Sequence, residues 1–126
     1  IAAAAVADFK PKEAHKIKLK KEINLNTIKL VPTQDILAWM GQNKSQQFLL
    51  GFALETNDEI KNAIRKLRSK NLDAIVMNSL KNSGAGFSGD TNKVSYISRK
   101  EEIIQFELKL KNQVAEDIFT QILRDE

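Results

Sequence analysis

The sequence predicts an α/β domain in which helices cover a largely parallel β-sheet. Two apolar runs, 46–55 and 72–78, have the length and composition of buried strands. Between them, apolar residues recur at the i, i+3, i+4, i+7 spacing of one helical face: Ile60, Ala63, Ile64 and Leu67. A strand, a helix and a second strand in this order form the βαβ unit of a parallel sheet.

The chain opens on an apolar run, residues 1–7, that ends at Asp8. We expect this run to be a buried strand whose carboxyl end places the Asp8 carboxylate in a crevice. It is too short for a membrane helix, and it lacks the basic leader of a signal peptide. Because Ile1 already lies inside the run, we also expect the domain to be truncated on its N-terminal side.

Residues 9–26 are polar, basic and without helical period, and Pro11, Asn24 and Asn26 are typical of loops. We therefore predict a loop or a mobile flap. Within it, the alternating stretch KIKLKK (16–21) fits either a solvated edge strand protected by lysines or a flap that closes over phosphates.

Branched residues at 27–31 predict a further strand, and DILAWMGQ after it predicts a short helix. Thr33 has the chemistry of an N-cap for this helix, and Gly41 that of a C-cap. The next helix follows Thr56 and Glu59, which have the spacing of a capping box.

The C-terminal third predicts a hairpin and a closing helix. KVSYIS and IIQFEL, joined by RKEE, are typical of two antiparallel strands near one edge of the sheet. Helical spacing then recurs in Val114, Ile118, Ile122 and Leu123. Among the other residues, we interpret His15 as a surface loop residue and three aromatics as core: Trp39, Phe48 and Phe52.

Composition limits the class of protein. The chain has 126 residues, 42% hydrophobic and 29% charged, so residues 1–126 fit part of one soluble domain with one core. It contains no cysteine, which excludes disulfides and thiolate metal sites and suits the cytoplasm. Since it has one histidine, a multi-histidine metal site is excluded too, and we predict no metal ligands in the chain.

The formal charge is +4, and the basic residues form two clusters, one in the predicted flap and one around the second helix. A polyanion is the natural partner of such clusters, whether nucleic acid or a nucleotide triphosphate. Lys66 and Lys70 share a helical face, from which they could reach a crevice at the sheet edge or snorkel at the core boundary. The two clusters make a basic nucleic-acid-binding module of α/β fold the alternative hypothesis. The modest net charge and the lack of a recognised nucleic-acid motif argue against it, and no aromatic residue interleaves with the clusters.

The letters of 84–89, GAGFSG, match the dinucleotide-binding pattern G-x-G-x-x-G. That site needs a helix directly after the glycines, because the helix N-terminus binds the pyrophosphate. A β-rich run follows instead, so we do not expect a dinucleotide site.

Six segments occur in a fixed order along the chain: AAAVADFKPKE, KLKK, LVPTQDIL, LLGFALET, KNLDAIVMN and GFSGDTNKV. This series, from Ala3 to about Leu123, resembles phosphopantothenoylcysteine synthetase. In bacteria this coenzyme A pathway enzyme usually follows a flavin decarboxylase in one bifunctional chain.

The resemblance implies a Rossmann-like, three-layer α/β fold and a cytoplasmic homodimer, or a higher oligomer through a fused decarboxylase. It implies a ligase that needs CTP, 4′-phosphopantothenate, cysteine and Mg²⁺, with no nucleic acid and no membrane. The phosphopantothenate carboxylate attacks the α-phosphate of CTP, and the cysteine amine then displaces CMP from the acyl-cytidylate. FMN would belong only to a decarboxylase domain outside this chain.

The resemblance also assigns residues. Lys18, the first residue of KLKK, matches the family's essential flap lysine, with Lys16 as a weaker candidate. Lysines and Mg²⁺ offset the repulsion between a triphosphate and a carboxylate. Phe52 matches the phenylalanine beside the base. The full set of expected nucleotide contacts is Ala2, Ala3, Ala4, Asp8, Lys18, Pro32, Thr33, Gln34, Asp35, Phe52, Lys66 and Lys70.

The sequence departs from the family pattern in three ways. Leu54 replaces a small residue, and Lys10 replaces an arginine. The family's glycine-rich first turn and the segment whose asparagine acts on the acyl-cytidylate are absent. We therefore expect this chain to carry the nucleotide-facing half of the site and to be inactive alone.

Overall fold

A computed structural model of the chain describes residues 1–15, 17–18, 27–79 and 89–125. The chain forms two compact units. The larger contains Ile1–Ala3 and Leu37–Glu126, and the smaller contains Ala4–Ile36.

The larger unit is built on a four-stranded mixed sheet. Across the sheet its strands follow the order β3 (Leu50–Glu55), β4 (Ala74–Ser79), β6 (Val94–Ser98) and β7 (Ile103–Gln105). β3 and β4 are parallel and are joined through α2 (Glu59–Ser69), which confirms the predicted βαβ unit. β6 and β7 form the predicted antiparallel hairpin at one edge of the sheet.

Each face of this sheet carries its own core, because side chains of a strand alternate between the two faces. On the α2 face, Leu49, Ala53 and Ile75 pack with residues of α2, and Leu37 of α1 (Ile36–Asn43) packs against them. On the other face, strand residues pack with α3 (Lys111–Asp125): Leu50, Ala74, Val76, Val94, Tyr96, Val114, Ile118 and Ile122. Two helical layers enclose one sheet, as predicted.

Two short strands flank this framework. β5 (Thr91–Asn92) pairs antiparallel with β8 (Lys109–Leu110), which leads directly into α3. The Lys111 N–H donates to the Asp90 carbonyl, at 2.9 Å, and so fixes the start of α3 beside the start of β5.

The prediction of a buried strand over residues 1–7 is wrong. Among the described residues only Ala2 forms a bridge, parallel to Gly51, and its N–H donates to the Leu50 carbonyl at 2.8 Å. The segment is largely exposed. An apolar run becomes a buried strand only when neighbouring strands and helices cover it, and here pairing reaches one residue.

In the smaller unit, β1 (Phe9–Pro11) pairs antiparallel with β2 (Leu30–Pro32). The Lys12 N–H extends the pairing by donating to the Lys29 carbonyl, at 2.8 Å. The prediction of a loop over 9–26 is therefore wrong for its first residues, because β2 supplies their backbone partners. Most of KIKLKK lies outside the described residues.

Both predicted caps of α1 are wrong, and so is the capping box. Thr33 lies three residues before Ile36, the first residue of α1, and its Oγ1 donates to the Ala7 carbonyl; α1 also continues past Gly41. Since α2 begins at Glu59, Thr56 lies too early to cap it. Its N-cap is Asp58, left-handed at φ 44°, and this side chain makes no capping hydrogen bond within the described structure.

Three core predictions also fail, those for Leu123, Trp39 and Phe52, and the Phe52 side chain is 40% exposed. Leu123 is 74% exposed, because Ile118 and Ile122 already define the buried stripe of α3 and the next residue lies about 100° further round the helix. Trp39 is 52% exposed on α1. Phe48 does pack against the α3-face core, and His15 is exposed, as predicted.

Candidate functional site

The carboxyl end of β3 holds a charged pair. Glu55 is the last residue of β3, and its Oε1 lies 2.7 Å from Nζ of Lys66 on α2. The Glu55 side chain is 11% exposed and that of Lys66 is 40% exposed. Ligands of open α/β sheets bind at the carboxyl ends of strands, so the pair stands where a ligand is expected. Sequence reasoning missed Glu55, although a carboxylate that ends a buried strand is the same signal that singled out Asp8.

Lys70, the second expected lysine of α2, is the C-cap residue of the helix. Its N–H donates to the Lys66 carbonyl at 3.0 Å, so the two residues share one helical turn. Their backbones are separated along the helix axis by about 6 Å. Lys70 precedes Ala74, the first residue of β4, by four residues. Its backbone therefore lies closer to the amino end of β4 than the backbone of Lys66 does.

Phe52 lies on the opposite face of the sheet from Glu55 and Lys66. It shares the α3 face with Leu50, since residues two apart on a strand point the same way. Its side chain is 40% exposed and lines a cavity of about 150 Å³. The other lining residues are Asn92, Val94, Lys111, Val114, Ala115 and Ile118. We call this the Phe52 cavity, and its aromatic wall offers a stacking surface for a planar ring.

One polar atom on this face is left without a partner. Oδ1 of Asn78, on β4, is buried and has no hydrogen-bond partner within the described residues. Glu55 Oε1 likewise makes no hydrogen bond of good geometry, but the Lys66 ammonium compensates it by charge. Asn78 is therefore a buried acceptor without a compensating group among the described residues.

In the smaller unit, backbone contacts bring Asp8 beside Thr33. The Thr33 N–H donates to the Asp8 carbonyl at 2.8 Å, which adds to the Oγ1 contact with Ala7. The Asp8 side chain is exposed, and so are Ala4, Pro32, Gln34 and Asp35. The predicted nucleotide-binding turn at Thr33 and the predicted acidic contact Asp8 are thus held together by hydrogen bonds next to the β1–β2 pair.

Lys18 lies in the predicted flap, and its side chain is exposed. It lines an open groove of about 630 Å³ together with Lys10, Pro11, Glu13, Ala14, His15 and Ile17. Of the remaining expected contacts, Ala2 and Ala3 belong to the larger unit, with Ala2 paired to β3.

A second charged cluster lies near the start of β4. Asp73 accepts from Lys44 Nζ, from the Leu49 N–H at 2.8 Å and from Arg99 at 3.1 Å. Burial alone would raise the pKa of Asp73, but these hydrogen bonds and the charges of Lys44 and Arg99 outweigh it and lower the pKa. These contacts connect the segments that follow α1 and β6 with the start of β4.

The described residues contain neither a metal-binding cluster nor a membrane-spanning helix. No group of three or more His, Cys, Asp or Glu side chains within them could hold a metal ion. No helix there is long and apolar enough to cross a membrane. Of the G-x-G-x-x-G pattern only Gly89 lies in the described part, and the short strand β5 follows it where a dinucleotide site would need a helix.

Comparison with known proteins places the chain in a family. Residues 1–125 match the DNA/pantothenate metabolism flavoprotein C-terminal domain. A cysteine/cysteine sulfinic acid decarboxylase from an unknown prokaryotic organism is 52% identical over 98% of this chain and 34% of its own length. The coenzyme A biosynthesis bifunctional protein CoaBC of Bacillus subtilis is 50% identical over 75% of this chain and 23% of its own length. The chain thus spans about a quarter to a third of these relatives.

Solved structures agree with this placement. The C-terminal domain of a CoaBC protein superposes with a TM-score of 0.74 and 37% identity, over 98% of this chain and 53% of that one. A Cab2 variant in complex with phosphopantothenate-cysteine gives 0.54 at 21% identity over 83% of this chain and 36% of that one, a likeness of fold alone. The chain therefore belongs to the DNA/pantothenate metabolism flavoprotein C-terminal domain family, together with the C-terminal synthetase region of the CoaBC proteins.

Proposed function

We propose that this chain supplies the nucleotide-facing part of a phosphopantothenate–cysteine ligase that uses CTP. The observation that carries the proposal is the match of 98% of the chain to the C-terminal domain of CoaBC, at 37% identity. The geometry supports it, since an exposed Phe52 lines a cavity and Lys66 stands at the carboxyl end of β3.

The proposed reaction has two steps. A carboxylate oxygen of 4′-phosphopantothenate attacks the α-phosphorus of CTP and expels pyrophosphate, which leaves an acyl-cytidylate. The cysteine amine then attacks the acyl carbon, loses a proton and releases CMP, so that an amide forms. Both steps concentrate negative charge, and we assign its stabilisation to exposed lysines, Lys18 first.

Mg²⁺ would enter with the triphosphate. This cation is commonly held by only one or two carboxylates together with substrate phosphates. Because we predict no metal ligands in the chain, we assign the ion to the phosphates and Asp8 to nucleotide contact. When bound, the ion would supply charge neutralisation at the phosphates. We further propose a cytoplasmic homodimer, on the family resemblance.

The relative named as a decarboxylase does not change this proposal. The chain covers 34% of that protein, so the activity in its name can reside in the part that this chain does not match. A decarboxylation assay therefore belongs beside the ligase assay as a separate readout.

The test uses the full-length protein that contains this chain. Phosphopantothenate labelled with ¹⁸O in its carboxylate is incubated with cysteine, Mg²⁺ and CTP, and the products are read by mass spectrometry. We expect phosphopantothenoylcysteine, pyrophosphate and CMP carrying one ¹⁸O. Product without ¹⁸O in CMP would exclude the acyl-cytidylate, equal turnover with ATP would exclude the CTP requirement, and no amide with any nucleotide would exclude the ligase.

A further inference from the structure

The head group of Lys66 is held at the carboxyl end of β3 by Glu55. Since α2 leads from the end of β3 to the start of β4, it runs antiparallel to both strands. Lys66 follows Glu59, the first residue of α2, by seven residues, and its backbone therefore lies about 10 Å further toward the amino ends of the strands. Helical side chains lean back toward the helix N-terminus, and the 2.7 Å contact shows that Lys66 reaches the last residue of β3.

Stability gives little reason for a carboxylate at this position. The Glu55 side chain is 11% exposed, and its Oε1 makes no hydrogen bond of good geometry to the described residues. Burial removes hydration from a carboxylate, and the attraction of one ammonium often fails to offset that loss. Replacement of a buried ion pair by well-packed apolar side chains is often neutral or stabilising. Because Glu55 stands where ligands of open α/β sheets bind, we expect its role to concern a ligand.

The contact with Glu55 leaves donors of Lys66 available. An ammonium carries three N–H donors, and Oε1 of Glu55 can take one of them. The Lys66 side chain is 40% exposed, so the head group is open to solvent on one side. Without a partner, its flexible four-carbon stem would sample many rotamers, and a ligand would have to order it at a cost in entropy. A carboxylate fixed on a strand removes part of that cost before the ligand binds.

We propose that Glu55 is a positioning residue, which holds the Lys66 ammonium at the carboxyl end of β3 so that it can donate to a phosphate oxygen of the nucleotide. This inference rests on the proposed function and adds to it a residue that the family resemblance did not assign. Glu55 has two opposing effects, since its negative charge weakens the attraction of Lys66 for an anion while its contact orients the ammonium. If orientation is the larger effect, removal of the Glu55 charge weakens nucleotide binding, and if neutralisation is larger, the same change strengthens it.

The affinity of the full-length protein for CTP, measured by calorimetry in the presence of Mg²⁺, gives the sign of this effect. Glu55→Gln keeps the shape of the side chain and removes its charge. We expect CTP binding to weaken about tenfold, the scale of one charge-assisted hydrogen bond, while circular dichroism shows an intact fold. Glu101→Gln is the matched control, because Glu101 pairs with Arg68, another cation of α2, and its loss should leave the affinity for CTP unchanged.

Lys66→Met shows whether Glu55 acts through Lys66. This variant should weaken CTP binding by a similar factor, and adding Glu55→Gln to it should cause no further loss, because no ammonium is left to position. Unchanged or tighter CTP binding in Glu55→Gln, or an equal loss with and without Lys66, would overturn the role of Glu55. A wild-type protein that binds no CTP would overturn the proposed function as well, whereas wild-type binding of CTP confines the failure to Glu55.

Discussion

Gly41 packs against the carbonyl oxygen of Lys70, so closely that a Cβ on Gly41 would overlap that oxygen. Asn71, next to Lys70, completes the contact, since its Nδ2 donates to the Gly41 carbonyl at 2.8 Å. The middle of α1 is thereby joined to the end of α2. This glycine is required by a close approach between two backbones, and not by the end of a helix.

The first prediction concerns this contact. Gly41→Ala should destabilise the protein by about 1–3 kcal/mol, because the obstructing atoms are backbone and cannot rotate away. Urea unfolding followed by circular dichroism measures the change. Gln42→Ala, at an exposed neighbouring position, should lie within about 0.5 kcal/mol of wild type. Equal stability of the two variants would show that α1 can move away from Lys70 at no cost.

The second prediction concerns Glu55 and Lys66. Lys66→Met leaves the largely buried Glu55 without its counter-charge and should cost about 1 kcal/mol of stability, a value limited by the partial exposure of Lys66. Adding Glu55→Gln should recover most of that loss. The double-mutant cycle in urea gives the coupling energy, with the exposed Lys61→Met as the control for loss of a lysine on α2. A coupling near zero would mean that the pair contributes nothing to stability.

The third prediction concerns Lys18 in the full-length protein. Because Lys18 is exposed, Lys18→Ala should leave the melting temperature nearly unchanged. It should lower the rate of acyl-cytidylate formation by about 30-fold, the equivalent of about 2 kcal/mol for a lost charge-assisted contact to phosphate. Lys12→Ala removes the same charge from the same exposed segment and should have a much smaller effect. Near-normal turnover in Lys18→Ala would remove Lys18 from the site.

The fourth prediction concerns alkaline pH. Tyr96 is fully buried, and burial raises the pKa of its phenol, as do the hydrogen bond of 2.6 Å to Asp125 Oδ2 and the charges of Asp125 and Asp73. Since the folded pKa lies above the unfolded value of about 10, the stabilisation is fully present below pH 10 and is lost as the pH rises beyond it.

Tyr96→Phe removes this titration. At pH 7 it should cost about 1 kcal/mol for the lost hydrogen bond. The difference from wild type should shrink and then reverse sign as the pH rises above about 10. Urea midpoints of both proteins at pH 7, 9, 10 and 11 give the comparison. A difference that stays constant over this range would contradict the raised pKa.

The local pattern of the sequence determined the main elements. Apolar runs and helical spacing were enough to predict β3, α2 and β4 as one βαβ unit, and alternating residues around RKEE predicted the hairpin of β6 and β7. These predictions succeed because side-chain periodicity reports the local backbone conformation directly. The order of six segments was enough to indicate the family, which the match over residues 1–125 confirms.

The tertiary structure decided which apolar or polar residues found partners. Residues 1–7 have the composition of a strand, yet within the described part of the chain only Ala2 pairs. Leu123 has the spacing of a core residue, yet it is exposed. The same holds for the candidate site: Asn78 Oδ1 lacks a hydrogen-bond partner within the described residues because of what surrounds it in the sheet. Periodicity specifies the face on which a residue lies, whereas burial and pairing depend on chain segments distant in sequence, whose positions no local pattern contains.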